Sequence, residues 1–192
     1  FSENDKLGGD DPYSASKAAC EIVIDSYRKS FFYDSGIPIA SARAGNVIGG
    51  GDWSDDRLIP DAIRAWQDDK ELNIRNPKAT RPWQHVLEPL NGYLILAQEI
   101  AKSPNKAQAY NFGPKPGSTA SVKDVIEIAK ECFGGGKVNY SSAHNGPHEA
   151  EWLSLNIEKS ERDLGFIPRW NLQETVLQSI SWYVKYFSGE NP

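Results

Sequence analysis

The sequence predicts an α/β fold built on parallel strands, and three observations carry that prediction. Helical patterns alternate with short apolar runs bounded by turn residues, Ile37 to Arg43 and Ala109 to Gly113, as expected of strands buried on both faces. A helix over residues 12–33 feeds directly into the first of these runs, which is half of a βαβ repeat. A Gly-rich loop then follows the strand, and open α/β sheets take their ligands at the carboxyl ends of strands. At 192 residues the chain allows one domain with a lobe, and 39% hydrophobic residues with six Trp can build its core.

Each element has a local reason. Residues 1–10 are polar with Gly8 and Gly9, so they form a loop. Asp11 is a good N-cap, and Pro12 brings the fixed φ favoured at a first helical position. Ala15, Ala19, Ile22, Val23, Tyr27 and Phe31 then recur at helical spacing as a buried stripe, and the helix stops near Asp34-Ser35-Gly36. A second helix spans roughly 59–69, with Ile59, Ile63 and Trp66 facing inward. Leu72 to Arg75 is a short strand turned by Asn76-Pro77, and an apolar helix runs from about 88 to 102. Ser121 with Asp124 forms a capping box that opens a helix through Phe133, which Gly134-Gly135-Gly136 ends. Lys137 to Tyr140 is a strand, residues 141–149 are a polar loop, and Trp152 to Leu155 is another short strand. Asn156 caps a helix ending at Leu164-Gly165. Asn171 with Glu174 caps the last helix, 172–187, with Val176, Leu177, Ile180, Tyr183, Val184 and Phe187 on one side.

The stretch that carries chemistry is Asp11 to Lys17. Tyr13 and Lys17 lie four residues apart on one helical face. A phenol ordinarily titrates near about pH 10, and an ammonium held beside it favours the phenolate. The pair can therefore exchange a proton with a substrate hydroxyl. Tyr-x-x-x-Lys is a common surface pattern, and what singles this one out is its place at the edge of the apolar stripe. In the loop after the first strand, Gly45, Gly49, Gly50 and Gly51 let backbone amides approach a ligand, and Asn46 offers a side-chain amide. That loop lacks the Gly-x-Gly-x-x-Gly spacing. Arg75 and Arg81 are the cations placed near an anion, since guanidinium groups pair fork-wise with phosphate. Arg75 leans toward simple solvation.

Composition excludes other classes. A net charge of −5 argues against a nucleic-acid footprint. No run approaches the ~18 apolar residues of a membrane span. Cys20 and Cys132 are too few for a disulfide framework and read as buried free thiols, which fits a reducing compartment, the cytoplasm. His85, His144 and His148 have no metal-ligand spacing, so no metal site is expected. No secretory signal opens the chain. It contains no Met, so it is expected to start mid-protein or to have been trimmed.

The order Tyr13-x-x-x-Lys17, Arg43-x-x-Asn46-Val47-x-Gly49, Leu58-Ile59-Pro60, Arg81-x-Trp83-x-x-Val86, Tyr110-Asn111-Phe112-Gly113 and Leu164-Gly165-Phe166-x-Pro168 resembles the extended short-chain dehydrogenase/reductase family across nearly the whole chain. Three segments, Gly9 to Ser14, Arg43 to Trp53 and Arg75 to Leu90, are most similar to its CDP-hexose 4,6-dehydratase branch. The resemblance implies a partial Rossmann-type doubly wound parallel sheet plus a smaller C-terminal α/β substrate-binding lobe. Residues 1–50 would belong to the NAD-binding domain and 51–192 mainly to the sugar-nucleotide lobe, with about 72–112 returning to the former.

It also implies roles. Tyr13 and Lys17 would be catalytic and contact the nicotinamide ribose, and Asn46 and Val47 would line both NAD and sugar. Arg57, Leu58, Leu72, Asn73, Ile74, Arg81, Asn111, His148 and Glu149 would hold the nucleotide sugar, with CDP-glucose the implied substrate and Arg81 at the pyrophosphate. Hydride would leave sugar C4 for NAD as Tyr13 takes the 4-hydroxyl proton. Water would be lost across C5–C6, and hydride would return to C6. A homo-oligomer through the Tyr-Lys helix is implied as well.

The family's Gly-x-x-Gly-x-x-Gly turn, its acidic ribose ligand and its elimination acid and base are absent, and would lie in an N-terminal half of roughly 100–150 residues. The chain is therefore expected to be the C-terminal portion of an enzyme, to need that half as a partner, and not to turn over alone. Two other readings stand beside this one. The first is another sugar-nucleotide enzyme of the same family, such as an epimerase, a decarboxylase or a dTDP-glucose dehydratase, and the second is a non-catalytic nucleotide-sugar-binding fragment.

Overall fold

The computed structural model describes residues 1–141 and 151–192. In chain order the elements are α1 (Pro12–Ser30), β1 (Ser41–Ala44), β2 (Val47–Ile48), α2 (Leu58–Gln67), β3 (Glu71–Ile74), β4 (Thr80–Arg81), β5 (Gln84–His85), α3 (Leu87–Lys102), β6 (Ala109–Phe112), β7 (Ala120–Ser121), α4 (Val122–Phe133), β8 (Lys137–Tyr140), α5 (Glu158–Leu164) and α6 (Leu172–Ser188). The α/β expectation holds. The strands form pairs: β1 with β6, β2 with β5 and β3 with β8, all parallel, and β4 with β7, antiparallel. No described helix is long and apolar enough to cross a membrane.

Caps explain where several helices begin and end. The Asp11 carboxylate accepts from the amides of Tyr13 and Ser14, at 2.9 and 3.0 Å, and from the Ser14 hydroxyl. At α4 the Ser121–Asp124 box is reciprocal, and Gly134 ends the helix at φ 94°. Asn171 caps α6 by accepting from the Glu174 amide at 2.9 Å. Asn156 sits one position outside its expected place: Ile157 is the N-cap of α5, while the Asn156 carboxamide accepts from the Glu158 amide at 2.8 Å.

Two apolar cores follow from these elements. The larger joins α2, β3, α4 and α6 through Ile59, Ile63, Trp66, Leu72, Ile126 and Ile180. The smaller lies between α3, β6 and α5 and contains Leu96, Tyr110, Phe112, Leu164 and Phe166. Glu88 at the start of α3 is buried, and one of its carboxylate oxygens accepts from the backbone amides of Arg169 and Trp170 at 3.0 and 2.8 Å. Burial lowers the pKa of the neighbouring His85, whose ring packs edge-on against Trp170.

Several expectations are corrected. None of the 19 residues of α1 is buried, and Ile22, Val23, Tyr27 and Phe31 are each more than half exposed. Among the described residues, no element covers that stripe. Cys20, on the same helix, is exposed, and Cys132 is half-buried. The helix ends at Ser30, with Phe31 as its C-cap, and pairing in the following run starts at Ser41 rather than Ile37. Trp152 to Leu155 forms one parallel bridge, Trp152 to Thr80, and no strand. On α6, Val176, Ile180 and Tyr183 are buried, whereas Leu177, Val184 and Phe187 are about two-fifths exposed.

The glycine loop after β1 is a packed segment. A Cβ on Gly45 would meet the Pro82 ring at 2.7 Å, one on Gly49 would meet Val86 at 2.7 Å, and one on Gly50 would reach Trp182 at 2.0 Å. The Tyr183 hydroxyl donates to the Asp52 carbonyl at 2.6 Å, and the Trp53 ring stands edge-on to Tyr183 at 5.2 Å. Overpacking costs typically about 1–3 kcal/mol. Gly50→Ala is therefore expected to lower unfolding free energy by roughly that amount in urea titration. Gly8→Ala, where a Cβ would meet nothing within 4 Å, is expected to be close to neutral.

Candidate active site

The glycine packing lowers the Ala44–Gly49 segment into one wall of a cleft of about 1350 Å³. It opens at the carboxyl ends of β1 and β2, where ligands bind in open α/β sheets. Ala44, Gly45, Asn46, Val47, Ile48 and Gly49 all line it. Tyr13 stands at its rim, 70% exposed, positioned by the Asp11 cap. The Lys17 ammonium lies 5.7 Å from the centroid of the Tyr13 ring, over the ring itself. Lys17 is near the rim but is not part of the cleft lining.

The first turn of α2 forms a second wall. Leu58, Ile59 and Pro60 line the cleft, and Arg57 is the N-cap with no side-chain cap hydrogen bond. The first four N–H positions of a helix have no intrahelical acceptor. Here the amides of Leu58 and Ile59 carry the positive end of the helix dipole to the cleft. Asp61, also lining, is paired with Arg64, which in turn donates to the carbonyls of Trp53 and Ser54 at 3.0 and 3.1 Å.

Opposite stand Leu72, Asn73 and Ile74 of β3, with Arg75 and Arg81. Leu72 and Ile74 are buried in the core, while Asn73 is exposed and accepts a 3.0 Å hydrogen bond from the Asn139 amide across the strand pair. Arg81 is half-buried, with Nη1 donating to the Thr80 carbonyl at 2.9 Å. Arg57, Arg75 and Arg81 thus share one cleft, as a dianionic ligand would need. Arg75, expected to be solvated, is exposed and also lines the cleft.

The structure therefore brings together Tyr13, Asn46, Val47, Arg57, Leu58, Leu72, Asn73, Ile74 and Arg81. It does not bring Asn111 to the cleft. That side chain is 1% exposed in β6, and its amide donates to the carbonyls of Phe1 and Asn156, both at 3.2 Å. His148 and Glu149 lie outside the described residues. Sequence reasoning missed Leu153 and Leu155, which line the cleft at alternate positions of an extended segment. The signal was present in the period-two pattern of residues 152–155.

A family model described as GDP-mannose 4,6 dehydratase matches residues 1–179. The chain belongs to this family. It is 42% identical over 197 aligned residues to the CDP-glucose 4,6-dehydratase of Salmonella typhimurium, covering all of this chain and 55% of that protein. The fold matches solved structures of dTDP-glucose 4,6-dehydratase from Bacillus anthracis with NAD and of UDP-glucuronic acid 4-epimerase from Bacillus cereus with NAD. For the first, the TM-score is 0.80 at 20% identity, covering 99% of this chain and 57% of that one. For the second, it is 0.79 at 21% identity, covering 99% and 56%. The chain thus spans about half the length of the relatives it matches. The family match agrees with the resemblance carried by the sequence motifs.

The geometry of Asn111 makes a testable distinction. Leaving buried polar groups unsatisfied costs about 1–3 kcal/mol, so Asn111→Leu is expected to destabilise the protein by that order in denaturant titration. Loss of nucleotide affinity at unchanged stability would instead mean that this side chain reaches a ligand.

Proposed function

We propose that the cleft is the site at which a nucleotide-activated hexose, CDP-glucose, is dehydrated to CDP-4-keto-6-deoxyglucose. The observation that carries this reading is the convergence of Tyr13, the Asn46–Val47 wall and the Arg57–Arg81 cations on one cleft. The 42% identity to a CDP-glucose 4,6-dehydratase supports the choice of base and sugar. The whole reaction belongs to a protein of that relative's length.

The residues present suit NAD at the Tyr13 end, where the phenol and Asn46 line one cleft and the Lys17 ammonium lies over the phenol ring. When bound, NAD supplies the hydride acceptor for sugar C4 and the hydride donor for C6. Tyr13 takes the proton of the sugar 4-hydroxyl. Lys17 keeps a positive charge over the Tyr13 ring as that proton is exchanged. Asn46 and Val47 hold the hexose against the rim, so that its C4 hydroxyl meets the phenol. Oxidation at C4 acidifies the C5 proton, and loss of that proton with the C6 hydroxyl releases water and leaves a C5–C6 double bond, which takes the returning hydride at C6 and a proton at C5. The acid and base of that step are not assigned to residues of this chain. Arg81, Arg57 and the α2 amides hold the diphosphate, and Leu72, Asn73 and Ile74 flank the base.

In the same reading, residues 1–50 belong with the NAD-binding domain and the remainder mainly with the substrate lobe. The uncovered stripe of α1 supports a homo-oligomer formed through that helix.

Incubation of this chain within a protein of that relative's full length, with CDP-glucose and NAD, tests the reading. The expected result is the ultraviolet absorbance that 4-keto sugars develop in base. General acid–base catalysis contributes about 10²–10⁴-fold, so Tyr13→Phe is expected to lower kcat by that range with KM little changed. Charged hydrogen bonds contribute about 1.5–3 kcal/mol, so Arg81→Met is expected to raise KM roughly ten- to a hundredfold. Product from another sugar nucleotide but none from CDP-glucose would overturn the substrate. Nucleotide binding without any product would favour a binding fragment.

A further inference from the structure

The Tyr13 helix raises a mechanical question: none of its residues is fully buried, and among its apolar residues Ala18 and Ile24 are only half-buried, so apolar packing alone gives it little hold at the cleft. The structure provides a polar attachment. Glu21 lies eight residues after Tyr13, so Tyr13, Lys17 and Glu21 form one i, i+4, i+8 ridge along the helix. Both carboxylate oxygens of Glu21 are engaged by β1: Arg43 Nε donates to one at 2.8 Å, and the Ser41 hydroxyl donates to the other at 2.9 Å. The pair is sheltered, with side-chain exposures of 23% for Arg43 and 17% for Glu21. One more tie, Arg28 Nε to the Ile39 carbonyl at 2.8 Å, fastens the far end of the helix to the same run. Arg43 precedes Asn46 by three residues, so the strand that grips the ridge is the strand that delivers the opposing wall of the cleft.

We propose that Glu21 is a positioning residue: its bidentate attachment to Arg43 and Ser41 sets the height and rotation of α1, and so holds the Tyr13 hydroxyl at the cleft. The proposal rests on the reading of Tyr13 as the proton acceptor. Arg43 lowers the pKa of Glu21, so the pair stays ionised across the neutral range. Arg43 is itself anchored in register opposite Asn111 in the β1–β6 pair, which makes it the fixed partner and α1 the guided one.

The test uses Glu21→Ala, Glu21→Gln, Arg43→Met and the double variant, with two readouts. Hydrogen exchange of α1 amides reports attachment without requiring turnover. Glu21→Ala and Arg43→Met are expected to speed exchange across residues 15–25 while leaving α2, α4 and α6 unchanged. For turnover, displacement of a reacting group by about 1 Å can cost 10²-fold. Glu21→Ala is therefore expected to lower kcat about ten- to a hundredfold at unchanged KM. Glu21→Gln, which can still accept from Arg43, should restore most of that loss, and the double variant should be no worse than the singles. Wild-type kcat and wild-type α1 exchange in Glu21→Ala would overturn the proposal. So would a fall of kcat with a rise of KM and faster exchange in every element, because that pattern marks general destabilisation. If wild-type protein of the relative's full length makes no 4-keto product, the functional reading fails, and the exchange experiment still decides the attachment.

Discussion

The cleft depends on the close approach of the Gly45–Gly51 segment to Pro82, Val86 and Trp182. Side chains at Gly45, Gly49 or Gly50 would collide with these neighbours at 2.0–2.7 Å. Without the approach, β2 would not pair beside β5, and Asn46 and Val47 would not line the cleft with the first turn of α2. α6 completes the arrangement from behind, since Trp182 fills the space over Gly50 and Tyr183 bonds the Asp52 carbonyl. A packed helix therefore holds a wall that the sequence presented as a loop.

Two modes of attachment meet at the cleft. The walls made by α2, β3 and the glycine segment grow out of the larger apolar core, so burial fixes them. The Tyr13 rim is held by the hydrogen-bonded ion pair of Glu21 and Arg43 and by Arg28, beside a stripe that nothing described covers. Charge-assisted hydrogen bonds are directional, so such a mount can set an orientation where a greasy face would set only proximity. The chemistry proposed at Tyr13 needs orientation.

Much of this was legible from the residues. The caps at Asp11, Ser121 and Asn171 and the αL glycines marked helix ends because each satisfies backbone groups locally. Ile59, Ile63 and Trp66 read correctly as an inner face because helical period and burial agree there. Motif order brought nine of the thirteen expected site residues to one cleft, with His148 and Glu149 beyond the described residues. What failed to show had physical causes. Strands of two residues, such as Gln84-His85, carry no period to detect. Whether an apolar stripe is buried depends on what faces it, so α1 and Cys20 were misjudged from a pattern that was itself correct. Glycines needed for packing look the same in sequence as glycines needed for ligand approach. Asn111 carried the right residue type, but strand burial turned its amide toward the backbone of Phe1 and Asn156.

The most direct test of the central claim is a structure of the protein with CDP-glucose bound. The account predicts the hexose 4-hydroxyl within hydrogen-bond reach of the Tyr13 hydroxyl, the diphosphate against Arg81 and the first turn of α2, and the base beside Asn73. A nucleotide sugar seated outside this cleft, or lying with its hexose away from Tyr13, would contradict it.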